Sequence, residues 1–204
     1  MNNDDINVMM AEIELIPDVM GKCLQDDGGH IKKLAEKIID TNVQHLWLTG
    51  CGDSGFAGEA AALAFIKSSK LYTRGIHALD LARYEVRYLQ EKSLVIGLSF
   101  SGKVGRTTEA AVQVQKFGHK FIALTNAPSG PLGKAASEIL PIDVPVLGFS
   151  PGTSSYIGML MTLFVLAAEI SAIKGSSELM ESLKRMPMLA QETLKLCKEP
   201  ALEA

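Results

Sequence analysis

The stretch LVIGLSFSGKVGRTTE, residues 94–109, constrains this chain more than any other. Residues 94–98 form an unbroken apolar run, the mark of a strand covered by helices on both faces and so left without a polar side. A polar turn carrying Ser99, Ser101, Gly102, Gly105, Thr107 and Thr108 follows. Residues 109–117, rich in alanine, valine and glutamine, then have the composition of a helix. Strand, glycine-bearing turn and helix start together can cradle an anion, because the first N–H groups of a helix are unbonded and its dipole is positive there. The same residue types also cap a helix with no ligand, so this turn alone leaves both readings open. Its spacing is neither that of a nucleotide P-loop nor that of the dinucleotide fingerprint.

A second copy favours a ligand. Residues 46–59, LWLTGCGDSGFAGE, again run from a short apolar strand through a Gly/Ser turn into an alanine-rich helix. Two such turns at neighbouring strand ends can face one molecule. The surrounding pattern alternates, with strands predicted at 46–49, 71–76, 94–98, 120–125 and 138–142 and helices at 55–67, 81–88, 109–117, 132–136 and 156–170. Asp80 is the expected N-cap of the helix at 81–88. Residues 126–131, NAPSGP, punctuate a turn, and residues 145–155 form a loop rich in Gly, Pro and Ser. This order predicts an α/β fold with a five-stranded parallel sheet flanked by helices, doubly wound in the flavodoxin manner, whose ligand sits beyond the carboxyl ends of the strands. Residues 1–40 read as an N-terminal helical arm broken at Pro17, residues 41–175 as the sheet domain, and residues 176–204 as a C-terminal helical extension.

Charge and cysteine usage narrow the partners. With 20 basic and 23 acidic residues scattered along 204 positions, for a net charge of −3, there is no electrostatic case for nucleic acid or an anionic membrane. A small molecule is the simpler partner. Cys23, Cys51 and Cys197 show no CxxC spacing, which fits a reducing cytoplasm and signals neither a zinc nor a haem site. No cofactor is called for. The opening MNNDDINVMM lacks the basic-then-apolar pattern of a signal peptide, and the longest apolar run, residues 156–168, is shorter than a bilayer span and reads as a buried helix.

GCGDS (residues 50–54), SFSGKVGRT (99–107) and GTSSY (152–156), in this register on a five-strand α/β pattern, resemble the sugar isomerase (SIS) domain, whose signatures are GxGxS and SxSGxT. The opening EIELIPDVMGKCL (12–24) and the segment LDLARY (79–84) also resemble the first SIS domain in the isomerase half of glucosamine-6-phosphate synthases. The resemblance implies a phosphosugar ligand held at Gly52, Ser54, Ser99, Ser101 and Gly102, with Ser155 and its neighbour Ser154 on the sugar. One family hydroxyl is missing, because the threonine of SxSGxT falls on Val104; Lys103 or Thr107 can stand in for it, as a point charge or as a neutral donor.

The catalytic groups are harder to place. His77, at the end of the second strand, can move protons near neutral pH but reads equally as a turn histidine in solvent. Glu59 faces either the pocket or water. Glu109, at a helix start, complements the dipole. Cys51 is either an activated thiol at a helix N-terminus or a small residue in a tight turn. Relatives with a single SIS domain, the phosphoheptose isomerases, place a glutamate ten residues after the GxGxS serine and a histidine on the last helix; here the first position is Ala64 and residues 156–170 hold no histidine. In two-domain relatives the base comes from the second domain and a histidine from the neighbouring subunit, and residues 178–204 look like a connection toward such a domain. The resemblance thus implies an aldose–ketose isomerase, aminotransferase or deglycase half-site acting on a hexose or aminosugar phosphate. The alternative is a non-catalytic sugar-phosphate sensor, although neither a helix-turn-helix segment nor a basic patch is present. Apolar residues in the arm (8–24) and tail (178–196) imply a homodimer or larger assembly.

Overall fold

The computed structural model describes residues 3–148 and 152–203. Three helices come first: α1 (Asn3–Glu14), α2 (Ile16–Gln25) and α3 (His30–Asp40). The strands are β1 (His45–Gly50), β2 (Tyr72–His77), β3 (Ser93–Leu98), β4 (Lys120–Thr125) and β5 (Glu138–Pro141), all parallel in the order β2-β1-β3-β4-β5. Helix α4 (Asp53–Ala64) runs on into a π-helical turn, Phe65–Ser69, and leads from β1 to β2. The second crossover starts with α5 (Ala78–Asp80), and α6 (Gly105–Lys116) and α7 (Pro131–Ala135) follow β3 and β4. After β5 come α8 (Thr153–Ile173), α9 (Glu178–Lys184) and α10 (Met186–Glu203). Because β1 sends the chain one way to β2 and β3 lies on its other side, the strand order reverses between β1 and β3. A crevice opens at such a reversal.

Strand residues alternate between two cores. Leu46 and Leu48 of β1, Leu94, Ile96 and Leu98 of β3, and Ile122 and Leu124 of β4 face the layer made by α3, α4 and α8. Trp47, Val95, Phe121 and Ala123 face the opposite layer with Ala110, Ala111 and Val114 of α6. All six residues of β3 are buried, as a central strand under helices on both faces requires.

Two expectations change. The N-cap ahead of α5 is His77, whose Nδ1 accepts the N–H of Leu79 at 3.3 Å, and not Asp80, which lies inside the helical segment with no capping bond from its side chain. Helix α8 spans 21 residues, so by length and composition it is long enough to cross a bilayer, the single such helix among the described residues. Its burial settles what it is. Met159, Met161, Leu163, Val165, Leu166 and Ile170 are all buried, and it packs in the core between α3 and α4. Of the loop expected at 145–155, residues 149–151 lie outside the described residues.

The arm is tied to α8 by Cys23, whose thiol lies 3.7 Å from both the Gly158 carbonyl and Thr162 Oγ1. Burial pushes this thiol above its ordinary pKa, with the Thr162 contact opposing. Near pH 8, a thiol reagent is expected to modify exposed Cys197 first and Cys23 last, with Cys23 reacting faster as pH rises or the chain unfolds. Labelling of native Cys23 as fast as Cys197 would contradict this packing.

Candidate functional site

A cleft of about 510 Å³ opens at the carboxyl ends of β3 and β4. Phe100, Ser101 and Lys103 line it from the loop after β3, Asn126 and Ala127 from the loop after β4, Gly152 and Ser155 from the start of α8, and Glu12 from α1. Val146 and Gly148 close one side. Backbone lacing fixes the first two walls. Asn126 N–H donates to the Phe100 carbonyl at 3.0 Å, Thr125 Oγ1 to the same carbonyl at 3.2 Å, and Leu132 N–H to the Gly102 carbonyl at 3.0 Å. Asn126 is spent on the chain itself, accepting the N–H of Val144 at 2.9 Å and donating to its carbonyl at 3.2 Å.

Gly102 is required by conformation. Its φ is +63°, its N–H donates to the Ser99 carbonyl at 3.0 Å, and an added Cβ would meet the Ala127 carbonyl at 3.0 Å. Ser101 Oγ accepts the N–H of Lys103 at 3.3 Å, which holds the loop tight. The next helix starts without a cap. Its N-cap position is Val104, which makes no side-chain hydrogen bond, and among the described residues nothing accepts from the N–H groups of Gly105, Arg106 and Thr107. The missing family hydroxyl is therefore the missing N-cap of α6, and the orphan donors are left for an external acceptor.

Of the other residues singled out by sequence, only Ser155 lines the cleft among the described residues. Ser54, on the first turn of α4, donates to Met159 Sδ of α8 at 3.5 Å, one helical turn beyond Ser155, and does not line the cleft. Gly52 is exposed at the N-cap of α4 with φ +54°. Ser99 and Ser154 are buried, and their hydroxyls have no partner among the described residues. Ser155 donates to the Gly152 carbonyl at 2.7 Å. Thr107 is turned into the core, donating to Cys51 Sγ at 3.9 Å, whereas Lys103 lines the cleft.

The acid–base candidates stand apart. Glu59 lies over β2, where a Cβ on Gly75 would meet its Cα at 2.6 Å, well before the strand's carboxyl end. His77 ends β2, two strands and about 10 Å from β3. Glu109 is held by two arginines rather than by the helix dipole: Arg106 Nη1 lies 2.7 Å from Oε2 and Arg83 Nε 2.6 Å from Oε1. These hydrogen bonds, Arg106 first, lower its pKa. Among the described residues, Glu12 is the carboxylate that lines the cleft. It is 5% exposed and accepts the N–H of Thr153, the first residue of α8, at 3.0 Å. Sequence reasoning passed over Glu12, whose signal was a single acidic residue on the apolar side of the arm.

A second cavity, about 310 Å³, lies at the amino ends of the strands among Lys37, Lys92, Ser93, His119, Lys120 and Glu138. Lys37 pairs with Glu138 there, and burial lowers the pKa of His119. Helices α3 and α6 end at this rim, and their negative dipole ends oppose an anion, so the carboxyl-end cleft is the better candidate.

The parallel sheet with its strand reversal between β1 and β3 and helices on both faces defines a doubly wound α/β domain. Residues 39–169 match the SIS domain, and the chain belongs to that family. It is 26% identical over 195 residues to glutamine–fructose-6-phosphate aminotransferase [isomerizing] of Bacillus cereus, covering 93% of this chain and 32% of that protein. The chain therefore spans about a third of the length of the curated relatives it matches. Among solved structures, the C-terminal domain of glucosamine-fructose-6-phosphate aminotransferase from Francisella tularensis superposes with TM-score 0.71 at 22% identity, covering 94% of this chain and 57% of that one. A ligand-bound protein of Escherichia coli CFT073 gives 0.70 at 18%, covering 85% and 94%. The Vibrio vulnificus NanR protein complexed with ManNAc-6P gives 0.65 at 20%, covering 97% and 70%.

The uncapped start of α6 is directly testable. Val104→Thr places a hydroxyl at an extended N-cap (φ −69°, ψ 111°) and is expected to raise stability by about 1 kcal/mol, read as a higher urea midpoint at unchanged slope. A lowered midpoint would show that the position does not act as a cap.

Proposed function

We propose that this chain is the phosphosugar-binding half of an enzyme of isomerase, aminotransferase or deglycase type acting on a hexose or aminosugar phosphate. The observation that carries this reading is the uncapped N-terminus of α6 beside Ser101 and the unpaired Lys103, a set of donors suited to a phosphate and poorly matched to a neutral sugar. The phosphate rests on Ser101, Gly102 and Lys103 with the sugar extending toward Ser155, while Ser54 and Gly52 on the neighbouring turn and the buried Ser99 and Ser154 stand behind these contacts. The relatives' names, and the ManNAc-6P bound in one similar structure, support a phosphosugar. Calorimetry should show fructose 6-phosphate binding where fructose does not, and Ser101→Ala should weaken it by about 1–3 kcal/mol if a hydrogen bond to a charged group is lost. Equal binding of the two sugars would overturn the reading.

The acid–base group is supplied from outside this chain, by a second domain or a neighbouring subunit. No histidine lines the cleft among the described residues, and Glu59 and His77 stand away from it. An apolar groove of about 430 Å³ between α1 and α10, lined by Ile6, Met9, Met10, Ile13 and Leu194, supports assembly with another domain or copy. The lack of a histidine in the cleft, where Glu12 is the one carboxylate among the described residues, favours as a second reading a sensor that binds without turnover. A positioned base contributes about 10²- to 10⁴-fold, so a coupled assay for glucose 6-phosphate from fructose 6-phosphate should find this chain near background. Robust turnover by the 204-residue chain alone would refute the half-site reading.

A further inference from the structure

Helix α4 is built inside out. It turns small residues to the sheet, burying Ala57 and Ala61, and gives bulky ones to water: Phe56 is 60% exposed and Leu63 73%, followed by Ile66 at 42% on the π-helical turn. A surface helix ordinarily does the reverse. The small inner residues let α4 lie close on β1, where a Cβ on Gly58 would meet Leu48 Cβ at 3.1 Å, but they do not account for the outer face. The spacing of Phe56, Leu63 and Ile66 places them on one side of the helix, with exposed Ala60 between them. Charges frame this stripe in a fixed order. Glu59 stands four residues before Leu63 and Lys67 four after it, and Phe56 stands seven before and Lys70 seven after. Glu59, Lys67 and Lys70 are all exposed, and none enters an ion pair among the described residues.

Such a stripe is complementary to itself when reversed. We propose that the chain forms a homodimer through α4, two copies packed antiparallel with Leu63 on the two-fold axis. Leu63 then meets its own copy, and Ile66 meets Ala60 of the second copy. At a rise of 1.5 Å per residue, Glu59 and Lys67 each stand about 6 Å from the axis on opposite sides, so Glu59 of either copy meets Lys67 of the other. Phe56 meets Lys70 of the second copy, ring under ammonium, at a groove of about 640 Å³ that Leu63, Lys67, Lys70 and Phe164 line. Apolar residues thus cover apolar residues, and two ion pairs fix the direction. A parallel arrangement would set Glu59 against Glu59 and Lys67 against Lys67. This face is separate from the groove between α1 and α10, whose lining shares no residue with it.

The test is charge reversal. Sedimentation velocity at low salt, where exposed ion pairs are least screened, reads the dimer dissociation constant for the wild-type chain, for Glu59→Lys, for Lys67→Glu and for an equimolar mixture of the two variants. Each variant alone sets like charges against each other in both pairs, and its dissociation constant should rise about tenfold or more. In the mixture both pairs are again of opposite charge, so native mass spectrometry should find the heterodimer at the concentrations where the wild type dimerises. Leu63→Glu, which faces two carboxylates across the axis, should leave a folded monomer with unchanged circular dichroism, because the position is exposed. A wild type that stays monomeric at tens of micromolar overturns the proposal. So do single variants that self-associate as the wild type does, the result expected if the copies meet through the α1–α10 groove, and so does a mixture that associates no better than its components. Should Leu63→Glu not fold, the charge variants and their mixture decide.

Discussion

Helix α8 and the sheet face it covers are the contact on which the rest of the molecule depends. A helix that is apolar all round must be buried all round, and α8 achieves this by lying on the leucines of β1, β3 and β4 with α3 and α4 beside it and α2 across it. Gly158 lets the outer elements close in: a Cβ there would meet Val144 at 2.6 Å and Val19 at 3.5 Å. The arm is thus part of the core, through Val19, Met20 and Cys23, and it carries Glu12 to the first turn of α8. Core packing and site geometry are therefore one problem. The helix that fills the core also places Ser155 in the cleft beside the loops after β3 and β4.

The site itself is where local rules are left unsatisfied. A helix with no cap, two buried serines without partners and a buried carboxylate with one neutral donor sit together at one rim of the sheet, above strands whose backbones are paired but whose His45, Trp47, Thr49 and Ser93 also bury polar atoms without a partner among the described residues. Unmet donors and acceptors at a strand reversal are what a ligand can complete, and each costs stability until it does. Rigid surroundings make this tolerable. The bonds from Asn126 and Thr125 to Phe100, and from Leu132 to Gly102, fix the loop after β3 against the loop after β4.

Much of this was legible in the sequence, for reasons that differ from element to element. The apolar run at 94–98 could only be a central strand, and residues 120–125 were bounded by His119 on one side and the turn residues from Asn126 on the other, so strand and prediction coincide. Helix starts were placed late, at 55 and 109 rather than Asp53 and Gly105, because the first turn of each is glycine and serine or threonine, residues that propensity assigns to loops. The Asp80 cap failed because His77 offered an imidazole nitrogen at the right place three residues earlier. Thr107 carried the right chemistry in the wrong direction, since its position on α6 points the hydroxyl at Cys51. Glu12 was invisible for a different reason: nothing local distinguishes a surface glutamate from one that long-range packing brings over a helix start 141 residues away.

The charges around α6 bear on how an anion would be held. Arg106 sits on the first turn of that helix, where a guanidinium would be the obvious phosphate partner, yet it lies 2.7 Å from Glu109, which also binds Arg83. Both arginines lower the pKa of Glu109, so its carboxylate stays ionised throughout the neutral range and no physiological change of pH frees Arg106. An anion at this loop is left with backbone N–H groups, serine hydroxyls and Lys103. Oriented dipoles of this kind read the shape of a phosphate at short range and fall off steeply with distance, whereas a free arginine would attract any anion from afar. The pairing of Arg106 with Glu109 thus leaves Lys103 as the cation that draws an anion to this loop, and the short-range N–H groups of α6 to read its shape.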